Sequence, residues 1–390
     1  MKTLIELYDE RPIENVLATE MFLPEETIML CSPEVISDKA LKESLNRYFE
    51  HRGCPVTLTV VPVSLLDAAK VEKQLRKILE THEDCAIDIS GGTDASLFAA
   101  GAACGDTPVF TYSRKKNSFF EIQNAPFARS LQCSVTLDAK SCFLMAGGTL
   151  LPGRENNEEL RHRLPQIDLL FSIFRKYRRS WRRQIGYIQE ISSPEPGMLR
   201  AEGPKTVKVD HGRVTADEAM LKELSSVGLI RDLQIGMDSI SFAFPDEIVR
   251  FWLRDIGSVL ELQVVSACLA ADCFDDVVLS AIVNWEGGAT QRNAVTNEID
   301  VVAVKGVQPV FISCKTSDIR TEALNELAVL RDRFGGKGSR AIIVTSAPAS
   351  RNRALMRMRA AELDIEVIEL NDLDKNRLVK RLRQDDQTTY

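Results

Sequence analysis

Asn297-Glu298-Ile299-Asp300-Val301-Val302-Ala303-Val304, followed by Pro309-Val310-Phe311-Ile312-Ser313-Cys314-Lys315, reads as two strands joined by a short turn, an antiparallel hairpin. Side chains alternate along a strand, so Glu298 and Asp300 share one face, and Ser313 and Lys315 share one face. If the two faces coincide, carboxylates and an amine meet at the end of a sheet. That combination suits a hard divalent cation, with the lysine beside an attacking water or a phosphate. The same spacing also fits an ordinary hairpin with solvent-facing charges.

Outward from the hairpin, residues 246–390 read as helix, strand, strand, strand, helix, strand, helix, strand. Helices are expected at 246–269, 321–334 and 350–362. Strands are expected at 276–285, 298–305, 310–314, 340–345 and 366–369. Glu261, on the first helix, is the carboxylate placed to complete the site. Upstream, residues 1–150 alternate strands (3–7, 26–31, 56–61, 85–89, 107–112) with helices (38–48, 65–79, 95–104). This is the pattern of a doubly wound α/β domain. A polar, turn-rich linker at 151–157 leads into a helical stretch at 158–191. A helix at 216–226 and two short β-like pieces ending at Phe242 then resemble a winged-helix fragment. The expected division is 1–150, 151–245 and 246–390.

Composition narrows the function classes. The 390 residues carry 49 basic and 56 acidic side chains, a net charge of −7 that does not favour a sequence-blind nucleic-acid coat protein. The nine cysteines include no CxxC pair, which argues against a disulfide framework or zinc ribbon and for a reducing compartment. His51, His82, His162 and His211 show no metal spacing. The N-terminus lacks the apolar run of a signal peptide, and no window approaches a bilayer span. A cytoplasmic protein without membrane attachment is expected.

Asp88-Ile89-Ser90-Gly91-Gly92-Thr93-Asp94 joins a buried strand to a helix. Glycines there allow close approach of a ligand, and the helix start offers free N–H groups suited to phosphate. There is no Walker lysine and no GxGxxG, and Thr93 or Asp94 also fits plain N-cap chemistry. Ser32 and Pro33 follow another strand at the same carboxyl edge, and Asn15 follows the first strand. These are the candidate ligand residues: Ser90, Gly91, Gly92, Thr93, Asp94, Ser32, Pro33 and Asn15.

The segments Gly257-Ser258-Val259-Leu260-Glu261-Leu262-Gln263-Val264, Asn297 through Val304, Val310 through Ser317 and Leu330-Arg331-Asp332-Arg333-Phe334-Gly335-Gly336 resemble a known group. They are similar to PD-(D/E)XK nucleases fused to CRISPR-associated Rossmann-fold (CARF) domains, and the likeness extends over essentially the whole chain. The resemblance implies an N-terminal Rossmann-like CARF domain, a connector and a restriction-endonuclease-like C-terminal domain. It implies that Glu261, Asp300 and Lys315 carry catalysis, with Mn²⁺ or Mg²⁺ on Glu261 and Asp300. It also implies that the glycine turn binds a cyclic oligoadenylate, commonly cyclic tetra-adenylate, across a homodimer, activating cleavage of DNA or RNA in antiviral defence.

One departure matters. The family has an acid two residues before the lysine, where this chain has Ser313. Glu298, Glu322 or Glu326 are the acids available to compensate. A degraded site would leave a ligand-responsive regulator, the alternative function. A third possibility, degradation of the ligand by the N-terminal domain, finds no histidine or lysine in the candidate pocket to serve it.

Last, Arg175-Lys176-Tyr177-Arg178-Arg179-Ser180-Trp181-Arg182-Arg183 is the densest basic stretch. Leu170, Phe174, Tyr177 and Trp181 have the spacing of a packed helix face. For the arginines, contact with nucleic acid and ion pairing are both open.

Overall fold

The computed structural model describes residues 1–37, 40–151, 157–209, 212–285, 296–336, 339–348 and 353–383. Five parallel strands open the chain: β1 (Thr3–Leu7), β2 (Glu26–Cys31), β3 (Thr57–Pro62), β4 (Cys85–Asp88) and β5 (Val109–Ser113). Two antiparallel strands, β6 (Ser118–Gln123) and β7 (Leu131–Gln132), extend the sheet to the order β3-β2-β1-β4-β5-β6-β7. Helices α1 (Leu17–Phe22), α2 (Pro33–Ser37), α3 (Ala40–Arg52), α4 (Ala68–Thr81), α5 (Asp94–Ala103) and α6 (Ala139–Met145) connect and follow them.

The sheet is hydrophobic on both faces because helices cover both. Ile5, Ile28, Leu30 and Ile87 pack with Val71, Leu75 and Ile78 of α4 and Ala99 and Ala100 of α5. Leu4, Met29, Ala86 and Phe110 pack on the opposite side with Leu17, Leu45 and Tyr48. This is the doubly wound arrangement expected from the alternation, with helices on both faces of a parallel sheet.

The second half is a separate sheet. β8 (Thr149–Leu150) leads into the long helix α7 (Asn157–Glu190), which departs from helical geometry at Tyr177 (φ −100°, ψ 16°). Next come β9 (Arg200–Pro204), the hairpin β10 (Thr206–Val209) and β11 (Gly212–Thr215), α8 (Glu218–Ser226), β12 (Arg231–Ile235) and β13 (Ser239–Ala243). β9, β13 and β12 pair antiparallel beside α8, a helix and hairpin as the sequence suggested.

The C-terminal unit contains α9 (Glu247–Trp252), α10 (Ser258–Ala271), β14 (Asp276–Asn284), β15 (Thr296–Lys305), β16 (Gln308–Lys315), α11 (Thr321–Phe334), β17 (Arg340–Thr345), α12 (Arg353–Glu362), β18 (Ile365–Glu369) and α13 (Lys375–Arg383). Its sheet runs β18-β17-β16-β15-β14-β8, antiparallel around β15 and parallel from β16 to β18. The single helix expected at 246–269 is two. Asp255 collects the N–H groups of Gly257 and Ser258 at 2.8 and 2.7 Å and starts a new helix there.

The two sheets share one core. Phe143 of α6 meets Phe334 and Phe311 edge-on, with centroids 5.0 and 6.3 Å away, and the same apolar cluster continues to Leu4 and Met29. All nine cysteines are free thiols. Among the described residues no helix is long and apolar enough to cross a membrane. The linker read at 151–157 and the helix starts at 38 and 350 fall on positions 152–156, 38–39 and 349–352, and His211 at 211. All of these lie outside the described residues.

Candidate functional site

β15 and β16 stay in register as far as Val301 opposite Ile312, and the hairpin arm stops pairing there. Asp300 is the next residue on its strand, and its carboxylate occupies the gap. Asp300 Oδ2 accepts the N–H of Cys314 at 2.5 Å, the hydroxyl of Ser313 at 3.1 Å and the Lys315 ammonium at 3.5 Å. The faces of Asp300 and of Ser313 and Lys315 therefore coincide, the condition on which the sequence reading of the site depended. Opposite Asp300 the neighbouring strand is irregular: pairing skips Ser280, whose φ is +51°.

Glu261 reaches this point from the first turn of α10. Burial pushes its carboxyl up to about 8, and the charges of Asp300, Asp255 and Glu298 add to that, while Lys315 opposes it. A side chain at Gly257 would fall 2.9 Å from Glu261 Oε1 and 3.3 Å from Asp255 Oδ2, so the glycine leaves room for the acid. Asp255 is a participant that sequence reading missed, because an acid before a helix start is ordinary capping chemistry.

The further candidates separate. Glu298 is exposed, and its charge is felt at Glu261. Glu326 is tied to the Asn297 side-chain amide at 2.7 Å. Glu322 is exposed and lines a cleft of about 310 Å³ with Asp318, Arg320, Thr345, Arg353 and Arg357. That cleft adjoins the strand end, since Thr345 is the register partner of Lys315.

Among the described residues no three His, Cys, Asp or Glu side chains form a ready-made metal cage. The donors present are the crowded carboxylates of Glu261 and Asp300. Two hard oxygen donors whose mutual repulsion Lys315 offsets only in part fit a hydrated divalent ion that keeps several waters.

The N-terminal candidates gather at the carboxyl edge of the parallel sheet. Ser90 Oγ donates to Asp88 at 2.5 Å and accepts the Tyr112 N–H at 2.7 Å. Thr93 caps α5 and donates to the Leu65 carbonyl at 2.5 Å, while the Leu65 N–H donates to Ser32 Oγ at 3.3 Å. The β2, β3 and β4 ends are thus laced together. A side chain at Gly91 would fall 2.7 Å from the Leu7 carbonyl, and Gly92 has φ +99°, so both positions demand glycine. Asp94 and Pro33 are exposed on this edge. Asn15 is 3% exposed, and its amide holds the Asp9 N–H and carbonyl at 2.8 Å each, so it shapes the loop from beneath.

Two residues the sequence reading passed over organise this edge. Asp9 accepts the Gly92 N–H at 3.1 Å and pairs with Arg11, whose guanidinium also reaches the Ser90 carbonyl at 3.3 Å. Neither carries a motif, since both lie in the turn after β1. A cavity of about 370 Å³ opens between this edge and the C-terminal unit, lined by Tyr8, Glu10, Asn15, Glu34, Met145 and Arg333 among others.

Comparison with known proteins fits this architecture. Residues 246–387 match the family model of the Card1-like endonuclease domain. No curated protein matches the chain in sequence. Among solved structures, protein VC1899 from Vibrio cholerae is 17% identical, covering 97% of this chain and 96% of that one with a TM-score of 0.74. Can2 from Sulfobacillus thermosulfidooxidans, solved with cyclic tetra-adenylate, is 16% identical, covering 98% and 99% with a TM-score of 0.72. A type III CRISPR defence DNA nuclease activated by cyclic oligoadenylate is 16% identical with a TM-score of 0.51; 90% of this chain spans 47% of it. Residues 246–387 thus match the Card1-like endonuclease domain model, and they follow an N-terminal Rossmann-like parallel-sheet domain.

Proposed function

We propose that this protein is a metal-dependent endonuclease of CRISPR antiviral defence, switched on by a cyclic oligoadenylate and working as a cytoplasmic homodimer. Residues 1–150 are the sensor, 151–245 the connector and 246–390 the nuclease. The observation that carries the reading is Asp300 drawn against Cys314 N–H and Lys315 beneath Glu261, inside the Card1-like endonuclease region.

Glu261 and Asp300 would hold Mn²⁺ or Mg²⁺, with Glu298 close enough to add to the negative field and Glu322 beside the neighbouring cleft. When bound, such an ion lowers the pKa of a water and offsets charge on phosphate oxygens. Asp300 positions Lys315, whose ammonium donates to the attacking water or to a non-bridging oxygen of the scissile phosphate. None of these roles needs a ribose 2′-hydroxyl, so DNA and RNA both remain substrates.

The activator would lie on Ser90, Gly91, Gly92, Thr93 and Asp94, with Ser32 and Pro33 alongside. The resemblance to the Can2 complex with cyclic tetra-adenylate favours that ligand. Arg11, with 41% of its side chain exposed, supplies positive charge at this edge. A symmetric ring suits a two-fold dimer in which each subunit gives half the pocket.

A route within one chain supports coupling. Gly92 hangs on Asp9, and Arg11 and Pro12 lie against Gly336, at 3.6 and 3.4 Å from its Cβ position. Gly336 closes the C-terminal end of α11, the helix that follows the catalytic strand. Activation requires the ligand to bind the cleaving arrangement more tightly than the resting one.

The test is incubation with Mn²⁺ or Mg²⁺ and labelled single-stranded DNA, supercoiled plasmid and RNA, with and without cyclic tetra-adenylate. Cleavage that needs metal and ligand and vanishes in Lys315→Ala is expected. Ligand binding without cleavage under either metal would favour a regulator, for which α8 and the β12–β13 hairpin are the matching feature.

A further inference from the structure

The basic stretch of α7 has two faces in the folded chain. Its aromatics are spent on packing: Phe174 and Trp181 are buried edge-to-face with centroids 5.4 Å apart, and the Tyr177 hydroxyl donates to Glu223 at 3.0 Å. Lys176 pairs with the same Glu223 at 2.5 Å, and Arg175 lies 3.8 Å from Asp374. Arg179 and Arg183 are exposed and make no hydrogen bond or ion pair among the described residues. Four residues apart, they stand one above the other on the helix, about 6 Å along its axis.

The placement of this face matters more than its charge. α7 kinks at Tyr177, and the next residue, Arg178, donates to the Ser346 carbonyl at 3.3 Å. The Ser346 N–H in turn donates to the Lys315 carbonyl at 3.1 Å, at the carboxyl ends of β16 and β17. The basic turn is therefore fastened to the strand edge that bears Lys315.

We propose that Arg179 and Arg183 bind backbone phosphates of the nucleic-acid strand whose scissile bond lies at Asp300 and Lys315. The inference rests on the nuclease reading. It adds a substrate track on the connector helix, outside the 246–387 endonuclease region. Guanidinium groups suit phosphate because their paired N–H donors match its oxygens, and two solvated arginines lose little on binding. A positive face in a chain of net charge −7 also attracts a polyanion.

The experiment is fluorescence anisotropy of labelled single-stranded DNA and RNA with the full-length protein, in chelator so that nothing is cut, over a range of salt. Arg179→Ala/Arg183→Ala is expected to weaken binding to all sequences by roughly twentyfold at 0.1 M salt. The slope of log affinity against log salt should shrink by roughly 0.7 for each phosphate no longer neutralised. The double lysine variant should keep most of both. Arg359→Ala, on α12 and paired with Glu362 at 3.0 Å, should change neither. Unaltered affinity and slope in the alanine variant would overturn the track while leaving the nuclease reading intact. A wild-type protein that binds neither strand also overturns it, and the metal-dependent cleavage assay then judges the nuclease reading on its own. Loss of binding in the variant, with no cleavage by the wild type, would keep the track and remove the nuclease.

Discussion

Ser313 Oγ donates to Asp300 Oδ2 at 3.1 Å, so the residue two before Lys315 serves to hold the neighbouring carboxylate. Asp300 keeps a second anchor in the Cys314 N–H. Ser313→Ala should therefore lower the single-turnover cleavage rate by about tenfold, the worth of one hydrogen bond to a charged group. Lys315→Ala and Asp300→Asn should abolish turnover. Loss in Ser313→Ala as complete as in Asp300→Asn would mean that the hydroxyl is itself a ligand, and the positioning account would be wrong.

Asp9 ties the glycine turn to the loop after β1. Partial burial works to raise its carboxyl, but hydrogen bonds from Arg11 and Gly92 outweigh burial and hold it below the ordinary aspartate range. Asp9→Ala frees the Gly92 N–H and leaves Arg11 only the longer contacts to Glu14 at 3.5 Å and the Ser90 carbonyl at 3.3 Å. The expected result is an activator affinity about tenfold weaker by calorimetry, from the lost charge-assisted bonds. Cleavage at saturating activator should stay near that of the wild type. Unchanged affinity would detach this loop from the ligand site.

Much of this was legible beforehand, and for identifiable reasons. β1, β2 and β17 are short apolar runs bounded by turn residues, so their limits read directly from the sequence. Asp300 and Lys315 could be paired because strand alternation is rigid. Other features depend on partners distant in sequence. β8 is two residues long and becomes a strand only by pairing with β14, so nothing local marks it. β6 and β7, together with α6, fall in a stretch where Phe119, Phe120, Phe143 and neighbouring residues follow no clean period, and α13 is short and strongly basic. Asp9, Arg11 and Asp255 matter through contacts across turns that no spacing rule anticipates. The break between α9 and α10 was hidden because apolar residues on both sides continue one helical pattern.

Gly336 tests the junction between the N-terminal sheet domain and the C-terminal unit. Its φ is +71°, and a Cβ there would sit 3.4 Å from Pro12. Gly336→Ala forces an L side chain into left-handed backbone at about 1–2 kcal/mol, at a point in van der Waals contact with the loop that carries Asp9. A lower melting temperature is expected, with activator affinity retained and ligand-stimulated cleavage reduced several-fold. If stimulation remains in full while stability falls, α11 does not transmit the signal.

The most deeply placed acids sit below the glycine turn, and they set a pH dependence for the fold. Glu6 and Asp88 are register partners on β1 and β4, 1% and 3% exposed, with Glu14 buried nearby. Burial pushes Glu6 well above the ordinary carboxyl range, with Asp88 adding to it, and the Thr19 hydroxyl donates to its carboxyl. Burial likewise raises Asp88 from 3.8 to about 7, against two hydrogen bonds from Ser90 that oppose the shift. A raised carboxyl means that the folded chain holds a proton that the unfolded chain has released. Stability from Asp88 is therefore full below about pH 4, falls as pH rises towards 7, and levels off above it. At about 1.4 kcal/mol per pH unit the loss is on the order of 4 kcal/mol. Asp88→Asn keeps a carbonyl to accept from Ser90 and has nothing to ionise. The drop in melting temperature between pH 5 and pH 8 should shrink in this variant, with the remainder belonging to Glu6, Glu14 and Glu261, whose carboxyls burial also raises, and the variant should outlast the wild type at pH 8. An equal drop in both proteins would place the titrating group elsewhere.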